Sequence, residues 1–282
     1  MGAALQIGIS TCPNDTFAFH ALLTGEVEIQ GCDLEFTLAD VEELNAGMFA
    51  GRFDVCKVSF HAALAHAENI IVLPSGSALG YGVGPVLLGS PACEHWDPSQ
   101  KKRVLAPGKW TTASLLMRLF HPEVETLDQV VFSEIMPRLQ RDEADYGVCI
   151  HEGRFTWKEQ GLHLIEDLGE RFERQTTSAL PLGGLVAQRS LGDEMQTKLA
   201  RGIQESIAWG LANRAACLGS MRRYAQEDKD EVLWSHIELY VNAWTLDLGT
   251  EGRRALTALA KLARERGLLQ PGVELRVLPS VS

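Results

Sequence analysis

Four short stretches of this 282-residue chain gather groups that can hold protons or bind an oxygen-rich ligand: "STCPND" (10–15), "CKVSF" (56–60), "PGKWTT" (107–112) and "CIHEGRFTW" (149–157). Each follows an apolar, strand-like run and precedes a helical pattern. At such corners an open α/β sheet presents unpaired helix N–H groups and binds its ligands. In the first, Pro13 suits an opening helical turn, and Thr11 or Asn14 can cap the helix or touch a ligand. The second sets Lys57, Val58 and Ser59 at the end of a strand; the third sets Lys109, Thr111 and Thr112 at the start of a helix. In the fourth, His151 follows directly on a buried-type strand, with Glu152 and Arg154 close behind. An imidazole that titrates near neutrality is a ready general base.

Every one of these groups also has a plainer use. Ser, Thr, Asn and Asp at helix starts cap the first turn, a contribution of about 1 kcal/mol, and His151 can serve as a structural hydrogen-bonding residue. Cys12 is either a nucleophile ahead of a helix or a small buried thiol, since no partner base adjoins it in sequence. Lys57 and Arg154 can donate to a carboxylate or stand as solvated charges. Spacing excludes several chemistries. "APGKWTT" has Arg103 where a phosphate loop needs its first glycine, and Trp110 where a hydroxyl residue should follow the lysine. "GYGVGP" (80–85) falls short of G-x-G-x-x-G and opens no helix, and no G-x-S-x-G elbow occurs. His61 and His66, five residues apart, would point to different faces of a helix, so no metal is expected.

The elements that must position these corners follow from hydrophobic periodicity. The pattern predicts strands over 5–10, 33–38 and 53–58 and helices over 15–24, 40–50 and 60–67, the first two closed by Gly25 and Gly51. Two glycine-punctuated β-type runs follow, "IIVLPSGSALG" (70–80) and "GVGPVLLGS" (82–90). A second alternating series then predicts strands over 103–108, 124–133 and 145–150 and helices over 111–120 and 134–142. After "LPLGGLVAQRS" (180–190) the chain reads as helical over 193–218, 228–243 and 250–267. It therefore leaves one α/β unit, builds another and returns, a layout that puts a ligand cleft between two lobes. The expected lobes are 1–90 with 187–282, and 91–186.

Composition narrows the function. With 45% hydrophobic residues the chain can bury one large core or two modest ones. A formal net charge of −11 argues against a nucleic-acid or anionic-membrane surface, so no such partner is expected. The opening residues run straight into a strand pattern without a basic or long apolar leader, and no apolar run approaches the ~20 residues of a membrane span. Six cysteines without a C-x-x-C pair read as reduced thiols. A soluble cytoplasmic protein is expected.

Taken together, "STCPNDTFAFHAL", "KVSF", "GSALGYGVGP", "PGKWTTASLL", "IHEGRFTW", "LPLGGL" and "YVNAWTLDLG" occur in an order that resembles the 1,4-dihydroxy-6-naphthoate synthases of the futalosine route to menaquinone. The resemblance spans nearly the whole chain. It implies an α/β fold of the periplasmic-binding-protein-like type 2 kind, with the cleft between two lobes. It implies a cofactor-free carbon–carbon lyase that converts cyclic dehypoxanthine futalosine into 1,4-dihydroxy-6-naphthoate and dihydroxyacetone. It places the proton acceptor on His151 and substrate contacts on Lys57, Val58, Ser59, Thr111 and Thr112, with Asn14 and Arg154 as further candidates. On that basis His151 is expected to take a proton while Ser59, Thr111, Thr112 and backbone N–H groups stabilise the developing oxyanion. Two alternatives share such a fold: an organic-acid solute-binding protein, and the chorismate dehydratase of the same route. The expected partner is a small-molecule substrate, and oligomeric state is not legible.

Overall fold

The computed structural model describes residues 4–99, 101–151, 153–225 and 229–281. In chain order the elements are β1 (Leu5–Ser10), α1 (Pro13–Ala18), α2 (His20–Thr24), β2 (Leu34–Ala39), α3 (Val41–Phe49), β3 (Val55–Ser59), α4 (Phe60–Ala65), β4 (Ile70–Val72), β5 (Ala78–Gly80), β6 (Val86–Gly89), β7 (Val104–Ala106) and α5 (Thr112–Phe120). There follow β8 (Asp128–Gln129), α6 (Phe132–Gln140), β9 (Tyr146–Cys149), α7 (Gly153–Thr156), β10 (His163–Asp167), α8 (Leu168–Thr176), β11 (Leu180–Gln188), α9 (Gly192–Ala212), α10 (Arg214–Tyr224), α11 (Asp230–Tyr240), α12 (Ala243–Leu246) and α13 (Gly249–Glu265).

Two mixed sheets organise them, as the two-lobe reading expects. The first runs β2-β1-β3-β11-β4, with β5 also paired to β11; the second runs β10-β6-β9-β7-β8. β1 is parallel to β2 and β3, whereas β11 is antiparallel to β3, β4 and β5. In the second sheet β7 is parallel to β8 and β9, and β6 is antiparallel to β9 and β10. β6, expected in a first lobe reaching residue 90, pairs in the second sheet; β11, expected largely in the second lobe, pairs in the first.

Burial explains the pairing. Every residue of β3 is buried, so it reads as a continuous apolar run with Lys57 and Ser59 as its polar exceptions. Ile7, Ile9, Val55, Leu185, Ile203 and Ile207 form a core between the first sheet and α9. Val86, Leu88, Leu105, Ile135 and Leu139 form one in the second. Phe17 on α1 is buried among Cys217, Met221, Leu233 and Ile237 of α10 and α11, docking those helices against the first corner. Full burial of such a side chain contributes about 1.5–3 kcal/mol.

Several elements depart from the sequence reading. The helix expected over 15–24 is two short pieces that break at Phe19, whose ring packs edge-on against Phe36. The strand expected over 124–133 contracts to the exposed pair Asp128–Gln129 at the sheet edge. The helix expected over 193–218 divides at Asn213. β10 and α8 were not expected; β10 is a half-buried edge strand with a bulge between Leu164 and Glu166, which blurs its alternation.

Candidate active site

The four corners converge on one cavity of about 630 Å3, its open mouth included. Ser10, Cys12, Asn14, Asp15, Lys57 and Ser59 line it from the first sheet's side, and Thr111, Thr112 and His151 from the second's. Val41, Val58, Ala78, Pro85, Ala113, Ile150, Leu182 and Tyr240 supply apolar walls. Asn14, Lys57, Val58, Ser59, Thr111, Thr112 and His151 thus line one cavity. Arg154 does not line the cavity. Its guanidinium pairs with Asp167 at 2.7 Å and donates to the Gly84 carbonyl at 2.8 Å, so the expected substrate contact is corrected to a clamp on the chain between the sheets. Lys109 is exposed and stacks over Trp110. Glu152 lies outside the described residues.

On the first wall, α1 begins at Pro13 with Cys12 in extended conformation before it, so the chain turns directly from β1 into the helix. Asp15 is buried and takes the Lys57 ammonium as its ion-pair partner. Asp15 Oδ2 accepts the Ser10 hydroxyl at 2.6 Å, and Oδ1 accepts Asn14 Nδ2 at 2.9 Å. Lys57 Nζ also donates to the Gly76 carbonyl at 3.0 Å. Two of three ammonium donors are thereby placed, and Lys57 itself lines the cavity. Because Asn14 Nδ2 faces Asp15, its Oδ1 faces His236 Nε2 at 3.0 Å, and that nitrogen carries the proton. Burial above all, and then the neighbouring His151 and Lys57, push the His236 pKa well below the usual imidazole value, so this ring stays neutral.

Ser59 ends β3. Its N–H donates to Asn45 Oδ1 at 3.0 Å and its hydroxyl accepts from Asn45 Nδ2 at 3.4 Å, so the O–H remains to donate to a ligand. On the opposite wall Thr111 caps α5, its Oγ1 accepting the Ser114 N–H at 3.2 Å. The expected role of the two threonine hydroxyls needs correction. Thr111 Oγ1 donates to the Gly108 carbonyl at 2.9 Å and Thr112 Oγ1 to the Leu182 carbonyl at 2.6 Å, so both protons are engaged by the protein. The donors this corner offers are the first-turn N–H groups of Thr112 and Ala113, which have no preceding turn to bond to.

His151 follows β9 with φ of +55°, in the left-handed region that costs a non-glycine residue about 1 kcal/mol or more. That turn carries its ring toward the first wall, where Cys12 Sγ lies 3.5 Å from Nδ1 and 3.6 Å from Nε2. A sulfur that far from both nitrogens in the ring plane would collide with ring carbons, so the thiol lies over the ring. Phe132 packs edge-on from 4.9 Å and the His236 ring is 6.2 Å away. Cys12, which has no base adjacent in sequence, has a histidine beside it from 139 residues away. Asp15, Asn45, His236 and Tyr240 were missed; "PND" carried a trace of Asp15, but nothing in the helical run around His236 marked it as the partner buried behind Asn14. Among the described residues no group of three His, Cys, Asp or Glu is placed to hold a metal ion.

The chain is similar to known proteins along nearly its whole length. A family model described as menaquinone biosynthesis matches residues 5–265. The chain is 40% identical over 268 residues to the 1,4-dihydroxy-6-naphthoate synthase of Thermus thermophilus, covering 95% of this chain and 97% of that one. It is 38% identical over 271 residues to the enzyme of the same name from Streptomyces coelicolor, covering 94% of each. In fold it is similar to the alkanesulfonate-binding protein of Xanthomonas axonopodis pv. citri, with a TM-score of 0.70 at 12% identity over 97% of this chain and 96% of that one.

Proposed function

The chain belongs to the menaquinone-biosynthesis family that includes the 1,4-dihydroxy-6-naphthoate synthases, and from that premise we propose that it is a lyase acting on cyclic dehypoxanthine futalosine, with His151 as proton acceptor. The products are 1,4-dihydroxy-6-naphthoate and dihydroxyacetone. The observation that carries this reading is the convergence of His151 with Lys57, Ser59 and the start of α5 on one cavity.

The chain's own groups divide the work. The apolar walls from Val58, Ala113, Ile150 and Leu182 receive the flat ring system and exclude water from it. His151 removes a proton from a substrate hydroxyl or activated carbon as the carbon–carbon bond opens. The charge that develops on oxygen is met by the Ser59 O–H, the remaining Lys57 N–H and the first-turn N–H groups of α5, which are fixed before reaction. Formation of the aromatic naphthalene ring drives the step forward. For the lobes we propose 4–80 with 180–281, and 86–167, with closure bringing His151 against Cys12. A cytoplasmic location belongs to the same proposal and suits six free thiols.

The test is a chromatographic assay with cyclic dehypoxanthine futalosine, wild type beside His151→Ala. Wild type should release the dihydroxynaphthoate, and a folded His151→Ala should lose about 10²–10⁴-fold in kcat. Equal turnover by both would remove His151 from the proton transfer. No turnover by folded wild type, with tight binding of another organic acid, would replace the lyase by a binding protein.

A further inference from the structure

Glu42 stands between the two cavity corners and takes no part in the chemistry above. It is the second residue of α3, on the first sheet's side, where the Asp40 side chain caps the helix by accepting the Glu42 N–H at 2.8 Å. Its carboxylate crosses to the second sheet's side. There both oxygens lie 3.1 Å from the Trp110 N–H, and the Lys109 N–H donates to it as well. Gly108 makes the approach possible: a Cβ at that position would meet Glu42 Cδ at 2.7 Å, and its φ is +126°. On its own side Glu42 Oε2 accepts from Asn45 Nδ2 at 3.1 Å, and the same fully buried Asn45 holds the Ser59 N–H and hydroxyl. A continuous chain of hydrogen bonds therefore runs from Ser59 through Asn45 and Glu42 to the backbone just ahead of Thr111 and Thr112. Burial raises the Glu42 carboxyl above the usual range, and the donors from Asn45, Trp110 and Lys109 oppose that rise only in part. Each of these contacts is an N–H donated to a carboxyl oxygen, the arrangement a carboxylate accepts.

We propose that Glu42 is a positioning residue that sets the spacing of the two substrate-contacting corners, Lys57–Ser59 and Thr111–Thr112, by docking its carboxylate on the 108–110 turn across the cleft. The proposal rests on the functional reading above, because only under it are these corners substrate contacts. With Glu42 in place the free protein already holds both corners in register. Without it the substrate must bring them together, and apparent affinity falls by the fraction of molecules that are in register. Once closed around substrate, the reacting groups are unchanged. The signature is a rise in KM with kcat nearly kept.

Steady-state kinetics of wild type, Glu42→Ala, Glu42→Gln and Gly108→Ala with cyclic dehypoxanthine futalosine read this split, and small-angle scattering of the same proteins without substrate reads the lobe spacing. Glu42→Ala should raise KM about tenfold with kcat within about threefold of wild type, and its radius of gyration should increase. Glu42→Gln keeps an acceptor for the Trp110 N–H and should recover most of the loss. Gly108→Ala, if folded, should reproduce Glu42→Ala, and the double variant should be no worse than either. A folded Glu42→Ala with wild-type KM, or one that loses kcat at unchanged KM, overturns the proposal. If wild type does not turn over this compound, the functional reading falls instead. Scattering then still decides the contact, because an unchanged radius of gyration in Glu42→Ala refutes the docking role.

Discussion

His61 lies under the Thr111 corner, its Nδ1 3.2 Å from the Thr111 carbonyl, and burial pushes its pKa down to about 4. The ring is therefore neutral near pH 7, with the Nδ1 proton donated to that carbonyl. Well above pH 6.5 neither folded nor unfolded chain protonates this residue, and its contribution to stability is complete. As pH falls from about 6.5 toward 4 the unfolded chain takes up the proton first, and stability drops by an amount on the order of 3 kcal/mol. His236, also held neutral by burial, adds a loss of the same sign. Urea unfolding of His61→Gln at pH 7 and pH 4.5 should show a smaller acid-induced loss than wild type; an equal loss in both would mean that His61 is not the group responsible.

At the scale of elements, α5 joins the two sheets. It follows β7 of the second sheet, yet Thr112 in its first turn donates to the Leu182 carbonyl on β11 of the first. Thr112→Val keeps the side-chain shape but leaves that carbonyl without its donor, which should cost about 1–3 kcal/mol in urea unfolding. Because the helix start also carries the N–H groups offered to substrate, kcat/KM should fall while near-ultraviolet circular dichroism stays that of a folded protein. Lower stability with unchanged kcat/KM would make Thr112 a tether alone. The sequence marked this helix start through "GKWTT", but the partner that takes the hydroxyl proton lies 70 residues away on another sheet.

At the scale of the whole molecule, two segments that pass between the sheets touch through glycine. A Cβ on Gly84 would meet Gly169 Cα at 2.2 Å, and one on Gly169 would meet Gly84 Cα at 2.5 Å. Only backbones without side chains pack this closely. Arg154, anchored to Asp167 and the Gly84 carbonyl, ties the segment after His151 to this crossing. Gly169→Ala should push the crossings apart, destabilise by about 1–3 kcal/mol and lower kcat/KM by shifting one cavity wall against the other. Wild-type stability and kinetics in that variant would show that the crossings tolerate separation and do not set the lobe spacing.

Local chemistry determined much of this protein from its sequence. Apolar periods of two and 3.6 placed most strands and helices, and polar clusters at strand-to-helix corners named Lys57, Ser59, Thr111, Thr112 and His151, because those signals arise within a few residues of chain. Only the tertiary structure decided which corners face one another and what each polar group already binds. It brought Cys12 over His151, set His236 behind Asn14, turned Arg154 away to Asp167 and carried Glu42 across to Trp110. Such pairings join residues tens to hundreds of positions apart. They are chosen by burial and hydrogen-bond satisfaction in the assembled core, which no local pattern encodes.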